Sequence, residues 1–496
     1  ASLIQINNVT NSGNITYKRE ANIRTLDYVY WSSPVFNQVF SGITSPIVSG
    51  PMYQWNPTID NPNNTQGNWT VPSTATMTRG KGYIIRGPST SGFNNTTPNI
   101  LVGTFTGVAN NGDIFTQISR GDDENPLPHF GSNGVEISNF SDNWNLIGNP
   151  YPSSIRASQF LFNNRTKILG NVRLWTHGNL PIYNTNPFYD SFGYNYTPGD
   201  YLTYTFTGTS CCPAAEDDLF IGAGQGFMVQ MLDGPEGSDV VAFNNGLRNA
   251  SYPNDYFFRF DNTSQNNNIN VNVNQLEKNR IWLDILNSSN KSERTLFGYI
   301  EGATNNLDHF YDCLTQNIGL MTIYSLSNND KYLIQGKELP FDENDVVPIG
   351  IVIQTAGNHT IAIAGVDGIF NSHEIYLRDN LLNTVHDIKN NPYQFYSSNG
   401  MFNNRFEIIY RNSTLSIGEI SNKNEVIVFT KNEINVASNE VIDSIEVFNI
   451  LGQKIEGINN IDRENIVINS ITKSNTSLLL KIKLKNGIIV TKKVIY

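Results

Sequence analysis

Two acidic runs are the first places in this sequence where chemistry could sit. "RGDDENP" carries Asp122, Asp123 and Glu124, and "AAEDDLF" carries Glu216, Asp217 and Asp218. Calcium takes about six to eight oxygen ligands from a flexible loop, so consecutive carboxylates supply only part of a site. Solvated loops are the plainer reading of both runs, with calcium the one cofactor they could serve. A third polar stretch, "LDHFYDC", gathers Asp308, His309, Asp312 and Cys313 ahead of the apolar run "LMTIYSL". It reads as a polar loop before a strand. "HEIYLRD" at His373 lacks the second His of a helical zinc site, and neither a nucleophile elbow nor a phosphate-binding loop occurs. Carboxylate pairs for glycoside hydrolysis lie far apart in sequence, and nothing here singles out a pair. The expectation is a protein that is not an enzyme.

The chain has three cysteines, Cys211, Cys212 and Cys313, too few for a disulfide framework. Adjacent cysteines rarely bond each other, because a disulfide needs Cβ atoms close and properly turned. A bridge from Cys211 or Cys212 to Cys313 is the pairing left open. A metal site would want more ligands nearby.

The elements that must position such groups are strands. Aromatic residues make up 11% of the 496 positions and charged residues only 16%. Short apolar runs punctuated by Asn, Gly, Ser and Thr predict an all-β protein with many turns. The net charge is −11, and no basic stripe appears in the first 418 residues, so no nucleic-acid partner is expected. No apolar run is long enough for a transmembrane helix. The sequence opens "ASLIQINN", which leaves open a removed presequence or a fragment of something longer.

Two linkers, "DNTSQNNNINVNVNQ" and "RNSTLSIGEISNKNE", divide the chain into residues 1–260, 275–411 and 425–496. The first part holds a weak internal repeat. "YWSSPVFNQV", Trp55 and "RGKGYIIRG" are matched in order by "WNLIGNPYPSSI", Trp175 and "GAGQGFMVQ". The paired glycines suit a tight turn or bulge before a buried strand. "SSIRASQFLFNN" predicts a short helix with Ser153 or Ser154 as N-cap. An aromatic-rich run from Tyr183 to Gly208 could stack on sugars or proteins, although strands are aromatic by propensity. The second part alternates with period two, as in "RIWLDIL", and predicts about nine short strands in a sandwich or jelly roll.

The last part is written differently. From Glu419 onward there is no Pro, Cys or Trp, and 10 basic against 9 acidic residues make it +1 while the remainder is −12. It predicts a small seven-stranded immunoglobulin-like sandwich. Asn486-Gly487 predicts a hairpin with a type I′ turn, whose two central residues both need positive φ. Leu480, Ile482 and Leu484 then face inward, and Lys481, Lys483 and Lys485 face water.

"SIEVFNILGQKI" and "LLLKIKLKNGIIVTKKVIY" resemble the C-terminal sorting domain of proteins exported by the type IX secretion system of Bacteroidota, in its type C-like form. Gln453 stands where that family more often has Arg. "YVYWSSPV", "NWNLIGNPYPSSI", "GQGFMVQ", "IYLRDNLLNTVHDI" and "FNNRFEIIY" are similar to segments that precede such tails in large surface and adhesin-like proteins. The resemblance implies a β-rich passenger region, which the strand pattern makes tandem sandwich or jelly-roll-like domains, exported to the cell surface or medium through the periplasm. It implies two partners for the tail, the translocon barrel and an outer-membrane shuttle protein. Recognition would fall on Leu451, Gly452, Gln453, Asn486, Gly487, Lys492, Lys493, Ile495 and Tyr496. The implied function is an adhesin-like or gliding-motility interaction protein with a glycan or protein ligand. The alternatives are a secreted polysaccharide-active enzyme, or its carbohydrate-binding module, and a structural stalk.

Overall fold

The computed structural model describes residues 2–44, 52–60, 66–90, 92–121, 129–130, 136–137, 142–176, 182–183, 194–195, 201–210, 218–254, 276–289, 291–315, 321–411, 426–430, 433–474 and 476–496. The protein is nearly all β, with only short helical pieces. It forms two compact units, Ala1–Asn412 and Ser413–Tyr496. The first two expected domains thus lie within one unit.

The duplicated sequence gives two copies of one topology. In the first, a four-stranded sheet runs in the order Tyr28–Trp31, Tyr83–Arg86, Met52–Asp60, Gln66–Thr70. In the second, the order is Trp144–Gly148, Gly226–Met231, Ile168–Trp175, Tyr201–Tyr204. The first and last strands of each copy pair separately, Asn14–Ile23 with Asn99–Val108 and Ile114–Arg120 with Gly237–Phe243. Each copy has its own core, around Trp31, Tyr83 and Phe105 in one and Phe160, Phe227 and Phe243 in the other.

The copies interlock by exchanging backbone pairing. Trp31 bridges Gln225 of the second copy, and the equivalent Ile147 bridges Lys81 of the first. Ser32 N donates to Gly224 O at 2.8 Å, and Gly148 N donates to Gly80 O at 2.8 Å. Gly80 and Gly224 both sit at positive φ, +73° and +80°, where a side chain would be strained. At the centre of the crossing, a Cβ on Gly148 would collide with Ser32 Cβ. This close approach rests on Gly148, with Gly80 and Gly224 of the paired glycines turning the chain beside it.

The second copy's helix spans Ala157–Asn163, but neither expected serine caps it. Arg156 is the N-cap residue and its side chain makes no capping bond. Ser153 and Ser154 are buried upstream. The free amide of Ser158 instead donates to Asp218 Oδ1 at 3.1 Å. A carboxylate distant in sequence thus meets the positive end of the helix.

Eleven strands between residues 278 and 409 form one sheet among the described residues, against about nine expected. The sheet curls until its ends meet. Arg405 Nη2 donates to Asp379 Oδ2 at 3.0 Å, and Tyr393 Oη, from the opposite end, donates to the same oxygen at 3.0 Å. Asp379 is 0% exposed, so its bond from Tyr393 locks the closure from within, with Arg405 on the adjacent strand neutralising its charge. Ile281, Leu283 and Ile285 face the main core as alternation requires. Trp282, on the other face, is equally buried in a second small cluster with Leu296, Cys313 and Ile334.

That second face is covered by the duplicated half. Trp282 Nε1 donates to Thr209 O at 2.9 Å, and Arg280 Nη1 to Thr207 O at 3.0 Å. In return, Gly170 N donates to His309 O at 2.8 Å and Phe206 N to Phe310 O at 2.9 Å. These bonds join the sequence's first two parts into one body.

The C-terminal unit has five strands among the described residues, where seven were expected. Two of them are long, Ile434–Asn449 and Lys454–Ile468, and their pairing slips between Ala437 and Ile442 and again before Ser444. Asn460 and Asp462 take positive φ, +54° and +49°, at the matching bend. The first half of Ile434–Asn449 pairs with Val426–Thr430 and the second half with Ser477–Leu484. Each long strand therefore does the work of two. Leu480, Ile482 and Leu484 are buried in its core, while Lys481, Lys483 and Lys485 are exposed.

All six Trp lie in the first unit, so their fluorescence reports its unfolding alone. Gly148→Ala is expected to destabilise that unit by about 2–3 kcal/mol, through overpacking at the crossing. Urea unfolding followed by Trp fluorescence checks this, and an unchanged midpoint would show that the crossing yields freely.

Candidate functional site

The turn after Val447 is organised from inside by one side chain. Asn449 Oδ1 accepts from Leu451 N and Gln453 N, each at 3.0 Å. Asn449 Nδ2 donates to Gln453 Oε1 at 2.8 Å. Gly452 N donates to Asn449 O at 3.0 Å with Gly452 at φ +78°, open on the side a Cβ would occupy. Gln453 is thus committed to the turn. With the backbone satisfied internally, Ile450 and Leu451 stand in water, 70% and 78% exposed. Large apolar side chains held out by a built turn form a contact surface available to a partner.

Strand register decides which expected recognition residues share that end. Asn449 pairs with Leu478, Leu478 with Val494, and Ser477 with Ile495. Leu451, Gly452 and Gln453 therefore lie at the same end of the sheet as Lys493, Ile495 and Tyr496. Lys492 is close behind, paired with Leu480. Ile495 is 66% exposed and Ile455, just beyond the turn, 47% exposed. Lys492 and Lys493 are exposed and join no ion pair among the described residues, while Lys454 beside the turn pairs with Glu446 at 2.8 Å.

Tyr496 has a different place. It is buried in the core, and its backbone amide and carbonyl pair with Thr476 at 3.0 Å in each direction. It anchors the final strand and offers little side chain to a partner. Asn486 and Gly487 lie at the far end of the sheet, about 20 Å away along a strand of this length. Their hairpin forms, but with a different turn from the one expected. Gly487 alone has positive φ, +86°, and Leu484 N donates to Ile488 O at 2.8 Å around a three-residue loop. Such loops need a single left-handed residue at their last position.

Of the two acidic runs, Asp218 alone of the named acids lies among the described residues. Asp122, Asp123, Glu124, Glu216 and Asp217 lie outside those residues. Asp218 is spent on structure. Its carboxylate pairs with Arg156, accepts from the Ser158 hydroxyl and amide, and accepts from Tyr204 Oη at 2.9 Å. Burial raises the Tyr204 phenol well above its ordinary pKa, and the Asp218 charge raises it further. Cys211 and Cys212 also lie outside the described residues, and with them the expected bridge; Cys313, its other end, is buried. Its sulfur accepts from Arg173 Nη2 at 3.6 Å.

The repeat builds an aromatic face that the sequence marked by its two central tryptophans and, through Tyr201, by the aromatic run. Tyr30 of the first copy stacks on Trp175 of the second, with ring centroids 5.7 Å apart and 14° between planes. Tyr30 and Tyr201 join hydroxyls at 2.6 Å, and Trp55 meets Trp69 edge-on at 5.1 Å. Of the Tyr183 to Gly208 run, Tyr204 is buried in the second copy's core and Phe206 packs against that core. Tyr201 stays at the rim of the aromatic face with Tyr53, Trp69 and Trp144, all half-buried.

Residues 1–410 match the family described as domain of unknown function DUF8693, and the chain belongs to that family. Residues 415–496 match a second domain of unknown function, DUF8694. The two matches divide the chain where the structure divides it. No curated protein matches the sequence. Among solved structures, Tp47, the 47-kilodalton lipoprotein of Treponema pallidum, is similar over 70% of this chain and 92% of its own. Its identity is 9% and its TM-score 0.14, too low to bear on the fold.

Asn449→Ala removes all three side-chain bonds of the turn. It is expected to weaken the C-terminal unit by about 1–2 kcal/mol, since each such bond contributes roughly 1 kcal/mol net. Hydrogen exchange of residues 426–496 checks this, with residues 1–411 as the internal control.

Proposed function

We propose that this is an exported cell-surface or secreted interaction protein whose C-terminal unit is its address for type IX secretion. The observation that supports this most is the turn Ile450-Leu451-Gly452-Gln453. It belongs to a separate compact unit, exposes apolar side chains, and shares one end of the sheet with Lys493 and Ile495. An address read by other proteins needs such an accessible end on a module that folds by itself. The partners in this reading are the translocon barrel and the outer-membrane shuttle protein, and the chain passes through the periplasm to reach them. The passenger is an adhesin-like protein, in the class that includes gliding-motility proteins.

Deleting residues 425–496 is expected to trap the passenger in the periplasm, followed by fractionation and surface labelling. Leu451→Asp, which leaves the turn's hydrogen bonds intact, is expected to reduce surface display at least about tenfold, the effect of losing a single contact of some 1.4 kcal/mol. Normal surface display of the deleted chain would overturn the proposal.

A second reading, in which the passenger binds carbohydrate, draws on the aromatic face. Half-buried rings such as Trp69 and Tyr53 present apolar area with a polar edge, the usual means of holding a sugar ring. In that reading the full chain labels a glycan array, and Trp69→Ala abolishes the signal while Trp fluorescence still reports a folded first unit.

A further inference from the structure

We propose that Asp312 makes the joint between the duplicated half and the eleven-stranded sheet sensitive to pH, closed in mildly acidic solution and opening more often towards neutrality and above.

The joint rests on the loop from Thr304 to Cys313. Besides the bonds at His309 and Phe310, Tyr311 O accepts from Thr205 Oγ1 at 3.0 Å and from Thr207 Oγ1 at 2.7 Å. Gly170 and Gly336 admit the loop so closely that a Cβ on Gly336 would stand 2.7 Å from Tyr311 Cβ. Asp312 ties this loop down from behind. Its Oδ2 accepts from Asp308 N at 2.7 Å and its Oδ1 from Gly336 N at 2.7 Å. The carboxyl therefore closes the loop on itself and pins it to the strand Asp330–Lys337.

Asp312 is 3% exposed, and among the described residues no cation pairs with it. The groups around it do not compensate. Asp308 on the same loop adds negative charge, and Tyr332 on the neighbouring strand feels both Asp312 and Asp330. Tyr311 is raised by its own burial and by Asp308 and Glu301, while His309 is exposed. Arg173, across the joint, directs its guanidinium to the Cys313 sulfur. Arg173 Nε and Asn171 Oδ1 are buried there without a hydrogen-bond partner among the described residues, which makes opening less costly. Burial pushes the Asp312 carboxyl up to about 7, against the opposing pull of the two amides and with Asp308 adding to the rise.

Opening hydrates the carboxyl and returns it to an ordinary value. The closed form then holds the proton more tightly than the open one. Its extra stability is complete below the ordinary carboxyl pKa, falls as pH rises, and is gone above about 7. Between pH 6 and pH 8 the open fraction rises about tenfold and then levels off.

Hydrogen exchange of residues 304–313 in the full chain, corrected for intrinsic rate, reads this directly at pH 6 and pH 8. The expected result is about tenfold more opening at pH 8 in the native protein, and less than about twofold change in Asp312→Asn. If that variant fails to fold, Asp308→Asn provides the second arm. It keeps the acceptor for Phe310 N, removes the neighbouring charge, and is expected to shrink the difference between pH 6 and pH 8. A native loop whose opening ignores pH overturns the proposal. So does an Asp312→Asn loop that keeps the native pH response, or an Asp308→Asn loop whose response is unchanged.

Discussion

The first unit depends on a backbone crossing that leaves no room for a side chain. Gly148 lies against Ser32 where the two copies of the repeat exchange pairing, with Gly80 and Gly224 turning the chain on either side. Backbone amides at such a point must be paired or solvated, and here each copy pairs the other's. Neither four-stranded sheet has a free end at the crossing. Beside the interlock, Tyr30 of one copy stacks on Trp175 of the other. The aromatic face thus belongs to neither copy alone.

Buried charge performs a related task elsewhere in the same unit. Asp379, paired with Arg405 on the adjacent strand, takes Tyr393 across the closure of the large sheet, and Asp218 holds Arg156, Tyr204 and the start of a helix. Such pairs add little net stability over well-packed apolar groups, but removing one partner costs about 3–5 kcal/mol because the other is left buried and unpaired. Asp312 differs in having amides but no cation, so its ionised form is the least well compensated of the three. The C-terminal unit uses no buried ion pair of this kind among its described residues. It relies on two long bent strands and a core of Ile, Val and Leu, and its ion pairs, such as Lys483 with Asp443, stand in water.

Much of the local structure was legible in the sequence because it follows from short-range rules. Alternation predicted the buried faces of Ile281, Leu283 and Ile285 and of Leu480, Ile482 and Leu484. Trp55 and Trp175 marked equivalent strands, and Asn486-Gly487 marked a hairpin. Errors arose where a distant residue took over a local role. The serines before the helix were locally sound caps, but Asp218 does their work. The type I′ turn was a sound choice for Asn-Gly, but the three-residue loop needs only Gly487 to turn left-handed. Seven strands were expected because a bent strand reads as two when only its apolar segments are visible.

The sequence by itself determined the all-β class, the change of style near residue 419, and the apolar turn after Val447. Each of these is written in composition or in spacing over a few residues. Tertiary structure alone decided which residues meet. Register set Leu451 beside Ile495 and sent Asn486 to the far end, because a strand of fixed rise separates them. It also merged residues 1–260 with 275–411. Trp282 showed only the alternation of a half-exposed strand, and the partner that buries it lies more than seventy positions earlier in the chain. No local pattern encodes a contact across that distance, since its energy appears only once both surfaces have formed.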